Sequence, residues 1–183
     1  MTQRPLVAPA PDGSSESTND DTETMTGRVH RYEAHCTWRG STGAGYSTYN
    51  RSHEAHCPPA QTRFSLSADP TFGGDSERLN PEQLLLLAAS SCQLLSFLAV
   101  AARGRIDVVA YDDVAEALMP EDERPIRISE ISLHPTITVR SPVSEARVAR
   151  MVEVAHRECF IANSVACEIT VTPTVTVLHT DRS

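Results

Sequence analysis

At 183 residues the chain is sized for a single domain, and with a formal net charge of −8 and no basic stripe nothing in it points to a polyanion partner. All sixteen basic residues are Arg and none is Lys, a composition bias that carries no functional message. The apolar share of 40% is low for a domain of this length, and the cause is local.

Residues 1–24 hold Pro, Ser, Thr, Asp and Glu with almost nothing to bury. Asp12, Glu16, Asp20, Asp21 and Glu23 against Arg4 place −4 of the −8 there. This composition predicts a disordered acidic tail, followed by one domain over residues 25–183. The only apolar patch, Leu6-Val7-Ala8, is too short for the core of an export signal. Five cysteines without such a signal point to free or redox-active thiols in the cytoplasm rather than a disulfide framework.

Residues 28–38 and 44–57 read as two strands joined by a Gly-containing turn over 39–43. A long connection, residues 58–80, carries a short strand near Arg63–Ser67. Asn80, Pro81 and Glu82 then form a helix start: a side-chain cap, a proline at the first helical position and an acid at the positive end. The helix runs to Arg103-Gly104, a basic last turn with a glycine stop. Residues 83–102 are uncharged and long enough to span a bilayer, but Gln83, Ser90, Ser91, Gln93 and Ser96 interrupt them and strands flank them. A central helix buried on nearly all sides is the better reading. Ala88, Cys92, Ser96 and Ala99 make a stripe of small side chains along it, inviting close packing against a second copy.

Residues 106–118 and 127–140 read as an antiparallel pair, with Pro135 predicting an edge or a bulge. Residues 143–158 form an amphipathic helix with Ser144 as cap and Val148, Met151, Val152 and Ala155 inward. Cys159 follows at its end, and residues 165–178 give a last strand rich in Val and Thr. The order β-β-(β)-α-β-β-α-β indicates an α+β domain.

Cys36, Cys57 and Cys167 fall in expected strands and read as packing or surface residues. His35, His53 and His56 beside Cys36 and Cys57 suggest a metal, but no CxxC or HExxH spacing is present, and His53 and His56 face opposite sides of a strand. No metal and no cofactor are expected.

Asn80-Pro81-Glu82-Gln83-Leu84-Leu85, followed ten residues after the Glu by Cys92, resembles the helix-opening signature of the OsmC/Ohr family, the osmotically inducible protein C-like and organic hydroperoxide resistance proteins. His156-Arg157-Glu158-Cys159-Phe160-Ile161-Ala162-Asn163-Ser164-Val165 is similar to that family's second-cysteine segment. The resemblance covers about residues 28–178. It lies nearer the OsmC-like branch, since Phe160 stands where Ohr members carry Pro.

The resemblance implies antiparallel sheets wrapped around a long central helix in an intertwined homodimer, with active sites at the subunit interface. It implies a cysteine-based peroxidase that uses no haem, flavin or metal. Cys92 would attack an organic hydroperoxide and become a sulfenic acid. Cys159 would condense with it to a disulfide, which a dithiol reductant, a lipoyl protein being one candidate, would reopen. An Arg from the early strands, held by Glu82, would activate the thiol; Arg39 is the first choice and Arg51 the second. Neither a nucleic acid nor a membrane is an expected partner. The alternative is an OsmC-fold stress-response or small-molecule-binding protein without peroxidase turnover.

The residues permit this chemistry on their own terms. A reactive thiol must ionise at neutral pH, which needs a cationic or donor-rich setting. A mid-helix cysteine gains nothing from the helix dipole, so the help must come from another element. Glu82 and Cys92 lie ~15 Å apart along one helix, so Glu82 either acts through a long Arg or serves a second copy. Ala88, Ala89, Leu95, Ser96 and Ala99 around Cys92 predict an apolar wall that favours alkyl hydroperoxides.

Overall fold

The computed structural model describes residues 27–179, and the expected tail over 1–24 lies outside them. Chain contacts separate a first unit, Met1–Tyr32, from a second, Glu33–Ser183, which holds every element named below.

The second unit is organised by helix α1 (Pro81–Arg103), whose ends follow the expected chemistry. Asn80 caps it by accepting from the Gln83 amide, and the Gln83 side chain accepts from the Asn80 amide in return, closing a capping box. At the other end the Gly104 amide returns to the Val100 carbonyl. One face of α1 is buried, through Ala89, Gln93, Phe97, Val100 and Ala101. The opposite face is not. Leu87 and Leu95 are 58% and 63% exposed, and Leu98 is exposed beside them. This corrects the expectation of a helix buried on nearly all sides, because one chain supplies packing partners for one face only. The exposed line also runs one position away from the predicted small-residue stripe, in which Ala88, Cys92 and Ser96 are half-buried.

Under the buried face lie α2 (Glu145–Glu158) and a mixed sheet. Ser144 caps α2 by accepting from the Arg147 amide, and Val148, Val152 and Ala155 point inward as expected. Strands β4 (Val108–Leu118) and β5 (Glu130–Arg140) pair antiparallel. After α2 crosses over, the last segment returns parallel to β5 as β6 (Glu168–Val171) and β7 (Thr174–Leu178). Both keep the same offset against β5, so they are one strand interrupted at Thr172-Pro173.

Pro135 explains the interruption and corrects the edge assignment. It lies buried in the central strand β5, paired with Asp113 of β4. The Thr172 amide donates to the Leu133 carbonyl, so a parallel ladder would next draw a bond from residue 135 to the Thr172 carbonyl. Proline has no N–H to give, and the last strand breaks at that point. On the other side Asp113 accepts the His134 amide at 2.8 Å with its carboxylate.

A separate three-stranded antiparallel sheet is formed by β1 (His35–Thr37), β2 (His53–His56) and β3 (Arg63–Leu66). Long strands over 28–38 and 44–57 were expected, but only short pieces pair. Between β1 and β2 the backbone turns locally instead, with Gly45 bonded to Thr42 and Thr48 to Gly45. The carbonyls of Tyr46 and Tyr49 are taken by the Arg51 guanidinium rather than by a neighbouring strand. Gln93, fully buried, donates to the Val152 carbonyl at 3.3 Å and ties α1 to α2.

Candidate active site

Cys92 and Cys159 come from elements far apart in sequence and meet where α1 packs on the end of α2. Cys92 is half-buried on α1; Cys159 ends α2 in extended conformation and is 2% exposed. Past Cys159 the chain folds into a tight turn. Asn163 donates its side-chain amide to the carbonyls of Arg157 and Cys159, at 2.9 and 2.8 Å, and the Ser164 hydroxyl donates to the Phe160 carbonyl. The turn aims two consecutive backbone amides at the two sulfurs. Ile161 donates to Cys92 Sγ and Ala162 to Cys159 Sγ, each at 3.5 Å.

Both thiols are free. Burial pushes the Cys159 thiol up from its ordinary value; the Ala162 and Ile161 amides oppose this, and hydrogen bonding to Cys92 and its charge add to the rise. Burial therefore disfavours ionisation of Cys159, and the two side chains are close enough to share a hydrogen bond.

Beneath them lie polar groups that sequence reasoning passed over. The Tyr111 hydroxyl and Gln93 Oε1 are buried with no hydrogen-bond partner among the described residues. Burial, with the charges of Asp113 and Cys159 second, raises the Tyr111 phenol far above its usual range. Asn163 and Ser164 entered the sequence analysis only as part of the second-cysteine segment, with no role of their own, although Asn and Ser side chains commonly bond nearby backbone groups in turns.

Glu82 is half-buried in the first turn of α1, on the same unbroken helix as Cys92. It lines a cavity of about 170 Å³ together with Arg51, His53, Ser67 and Asp69. Arg39 lies exposed in the β1–β2 connection and does not border that cavity. The structure thus brings Cys92 to Cys159, and places Arg51 and Glu82 on the walls of one cavity without an ion pair between them among the described residues. A larger cavity, about 450 Å³, is lined by Glu82, Leu85, Met119, Arg127 and Cys167.

Cys36 and Cys57 are exposed, and Cys167 is half-buried. His35 and His56 face each other across β1 and β2 with stacked rings 4.7 Å apart. Among the described residues no three of His, Cys, Asp and Glu are grouped to hold a metal ion.

A mixed sheet under two helices, with one cysteine in the central helix and one just past the second, defines a two-cysteine α+β domain. The model of the family described as OsmC-like protein matches residues 73–174, and the chain belongs to that family. Among solved structures, an OsmC-like protein of unknown function from Vibrio cholerae superposes with a TM-score of 0.70 at 26% identity, covering 79% of this chain and 99% of its own. Organic hydroperoxide resistance proteins share the fold at lower identity. That from Legionella pneumophila gives 0.62 at 17%, covering 82% and 100% of the two chains; that from Elizabethkingia anophelis gives 0.62 at 20%, covering 82% and 99%. No curated protein matches the sequence.

Proposed function

We propose that this protein is a thiol peroxidase that reduces organic hydroperoxides to alcohols. The observation that carries the reading is the meeting of Cys92 and Cys159, with a backbone amide aimed at each sulfur. The Cys92 thiolate attacks the terminal peroxide oxygen, the O–O bond breaks, and the departing alkoxide takes a proton and leaves as the alcohol. Cys92 is left as a sulfenic acid. The Cys159 sulfur then bonds to it, and the Cys159 proton leaves with the hydroxide as water. A dithiol reductant, such as a lipoyl protein, reopens the disulfide and is itself oxidised. No cofactor enters.

Activation of Cys92 falls to Arg51, which lines the same cavity as Glu82. Since Glu82 lies ~15 Å along the same helix from its own Cys92, this pair serves the Cys92 of a second copy. The exposed line of Leu87, Leu95 and Leu98 on α1 is the surface on which that copy would pack. Five free thiols fit a reducing compartment, the cytoplasm.

The test is peroxide consumption with a dithiol reductant. Cys92→Ser abolishes it. Cys159→Ser permits one oxidation, leaves a sulfenic acid at Cys92 that a dimedone-type reagent traps, and does not turn over. Full activity in both variants would leave the alternative, a stress-response or small-molecule-binding protein of the same fold.

A further inference from the structure

The Arg51 guanidinium is held more completely than an activating arginine on a loop would need to be for charge alone. Its Cζ lies 4.1 Å from the Tyr49 ring centroid and 4.7 Å from that of Tyr46. Its Nη1 donates to the Tyr49 carbonyl at 3.0 Å and its Nη2 to the Tyr46 carbonyl at 2.7 Å. The same two residues therefore supply both the ring faces and the acceptors. The rings meet edge to face at 6.1 Å, and the Trp38 ring stands edge-on to Tyr49 at 6.4 Å. Trp38 also donates its indole N–H to the Asn50 carbonyl at 2.6 Å, anchoring the backbone just before Arg51.

Gly73 completes the setting from the opposite strand of chain. Its φ of +76° is one that L side chains rarely adopt, and a Cβ there would stand 3.1 Å from Arg51 Cζ and Nη1. Only a glycine lets the backbone come this close to the guanidinium without displacing it. Two of the five N–H groups of Arg51 are thus committed to carbonyls, and the side chain borders the cavity that Glu82 also lines.

We infer that Tyr46 and Tyr49 are positioning residues for Arg51, a two-ring clamp that fixes the guanidinium before it meets an anion. The inference rests on the reading of Arg51 as the group that activates Cys92, and extends it to side chains that touch neither sulfur. The physical reason is pre-organisation. A free arginine surrenders its rotamer freedom when it pairs with an anion, and a clamped one has already done so. Aromatic faces suit this role because they attract the cation without neutralising it, whereas a carboxylate in the same place would spend the charge.

The experiment compares the pH profile of Cys92 alkylation and the second-order rate with cumene hydroperoxide in Arg51→Ala, Tyr49→Leu, Tyr49→Phe and Tyr46→Leu, all as full chains in the Cys159→Ser background. Arg51→Ala is expected to slow the peroxide reaction and move the alkylation midpoint upward. Tyr49→Leu, which removes a ring but leaves the carbonyl, is expected to move the midpoint in the same direction by about one pH unit, with about a tenfold fall in rate. Tyr49→Phe keeps the ring and restores the wild-type profile. Tyr46 is largely exposed, so Tyr46→Leu serves as the milder variant should Tyr49→Leu not fold. An Arg51→Ala protein with an unchanged profile, or one in which Arg39→Ala alone has the effect, overturns the assignment of Arg51 and the clamp with it. A depressed Arg51→Ala beside unchanged Tyr49→Leu and Tyr46→Leu overturns the clamp alone.

Discussion

The two sheets of this protein are built to different standards. In the mixed sheet β4 and β5 run eleven residues each, and Ile131, Leu133, Ile137 and Val139 of β5 are fully buried beneath the helices. In the three-stranded sheet no strand exceeds four residues, and β1 is exposed throughout. Its continuation toward α1 is slight: Leu66 bridges to Leu79, and Ser67 donates its amide to the Leu79 carbonyl. The contrast separates two tasks. The mixed sheet lies under the helices that carry the cysteines, and the small sheet is entered by the loop that carries Arg51.

A sheet of short, exposed strands is marginal by itself in water, since it has no core of its own. It gains one if a second copy covers it, and the exposed Leu87, Leu95 and Leu98 of α1 have the same need. The largest effect that can break the comparison is therefore on assembly. A two-fold dimer is expected at micromolar concentration by light scattering, and Leu95→Glu, which puts a charge on the exposed line, is expected to dissociate or unfold it. A folded monomer of the wild-type chain would show that the small sheet stands unaided.

The same contrast explains what the sequence disclosed. Helix α2 and strand β5 were legible because each carries a buried face, and burial writes a period into the residues. Helix α1 was legible from its Asn80 cap, Pro81 and uncharged run, and half-buried β4 as the antiparallel partner of β5. The two cysteines were legible because each sits in a local motif. The early strands were over-extended because residues 28–57 alternate loosely, and alternation alone does not report whether carbonyls are taken by a strand or by a guanidinium. Pro135 was misplaced for a related reason. Its cost to the sheet falls on Thr172, thirty-seven residues away, where the last strand breaks. Spacing could not decide between Arg39 and Arg51, since both lie in the same loop and differ in which rings and carbonyls surround them.

A smaller effect sharpens the picture of the mixed sheet and its helices. The apolar wall expected around Cys92 is only partly formed within one chain: Ala89 is buried against the sheet, while Leu95 faces outward. If a second copy completes the wall, an alkyl hydroperoxide can leave apolar surface there. Burying ~60 Å² at about 25 cal/mol per Å² contributes roughly 1.5 kcal/mol, about tenfold in rate. The expected result is a kcat/KM for cumene or tert-butyl hydroperoxide about ten times that for hydrogen peroxide. Equal values at matched reductant would mean that the thiol pair works without a hydrophobic site, even if peroxidase activity stands.

The smallest expected effect lies in the pH dependence of stability, and it isolates Cys159 from everything the small sheet contributes. Burial holds the folded Cys159 thiol above its ordinary value, with Cys92 adding to the rise. Below the unfolded value of about 8.5 both states keep the proton, and stability does not depend on this group. As pH climbs past that point the unfolded chain releases the proton while the folded protein retains it, so stability falls until the folded value is passed. The slope for one proton is at most ~1.4 kcal/mol per pH unit. Denaturant unfolding from pH 7 to pH 10, with a phosphine keeping all thiols reduced, should therefore show a decline over the alkaline half that is shallower in Cys159→Ser. The comparison is between slopes, since the substitution also changes packing and so the absolute stability. Parallel slopes in the two proteins would mean that the buried end of α2 does not hold the proton, and the division of labour between the two sulfurs would have to be drawn the other way.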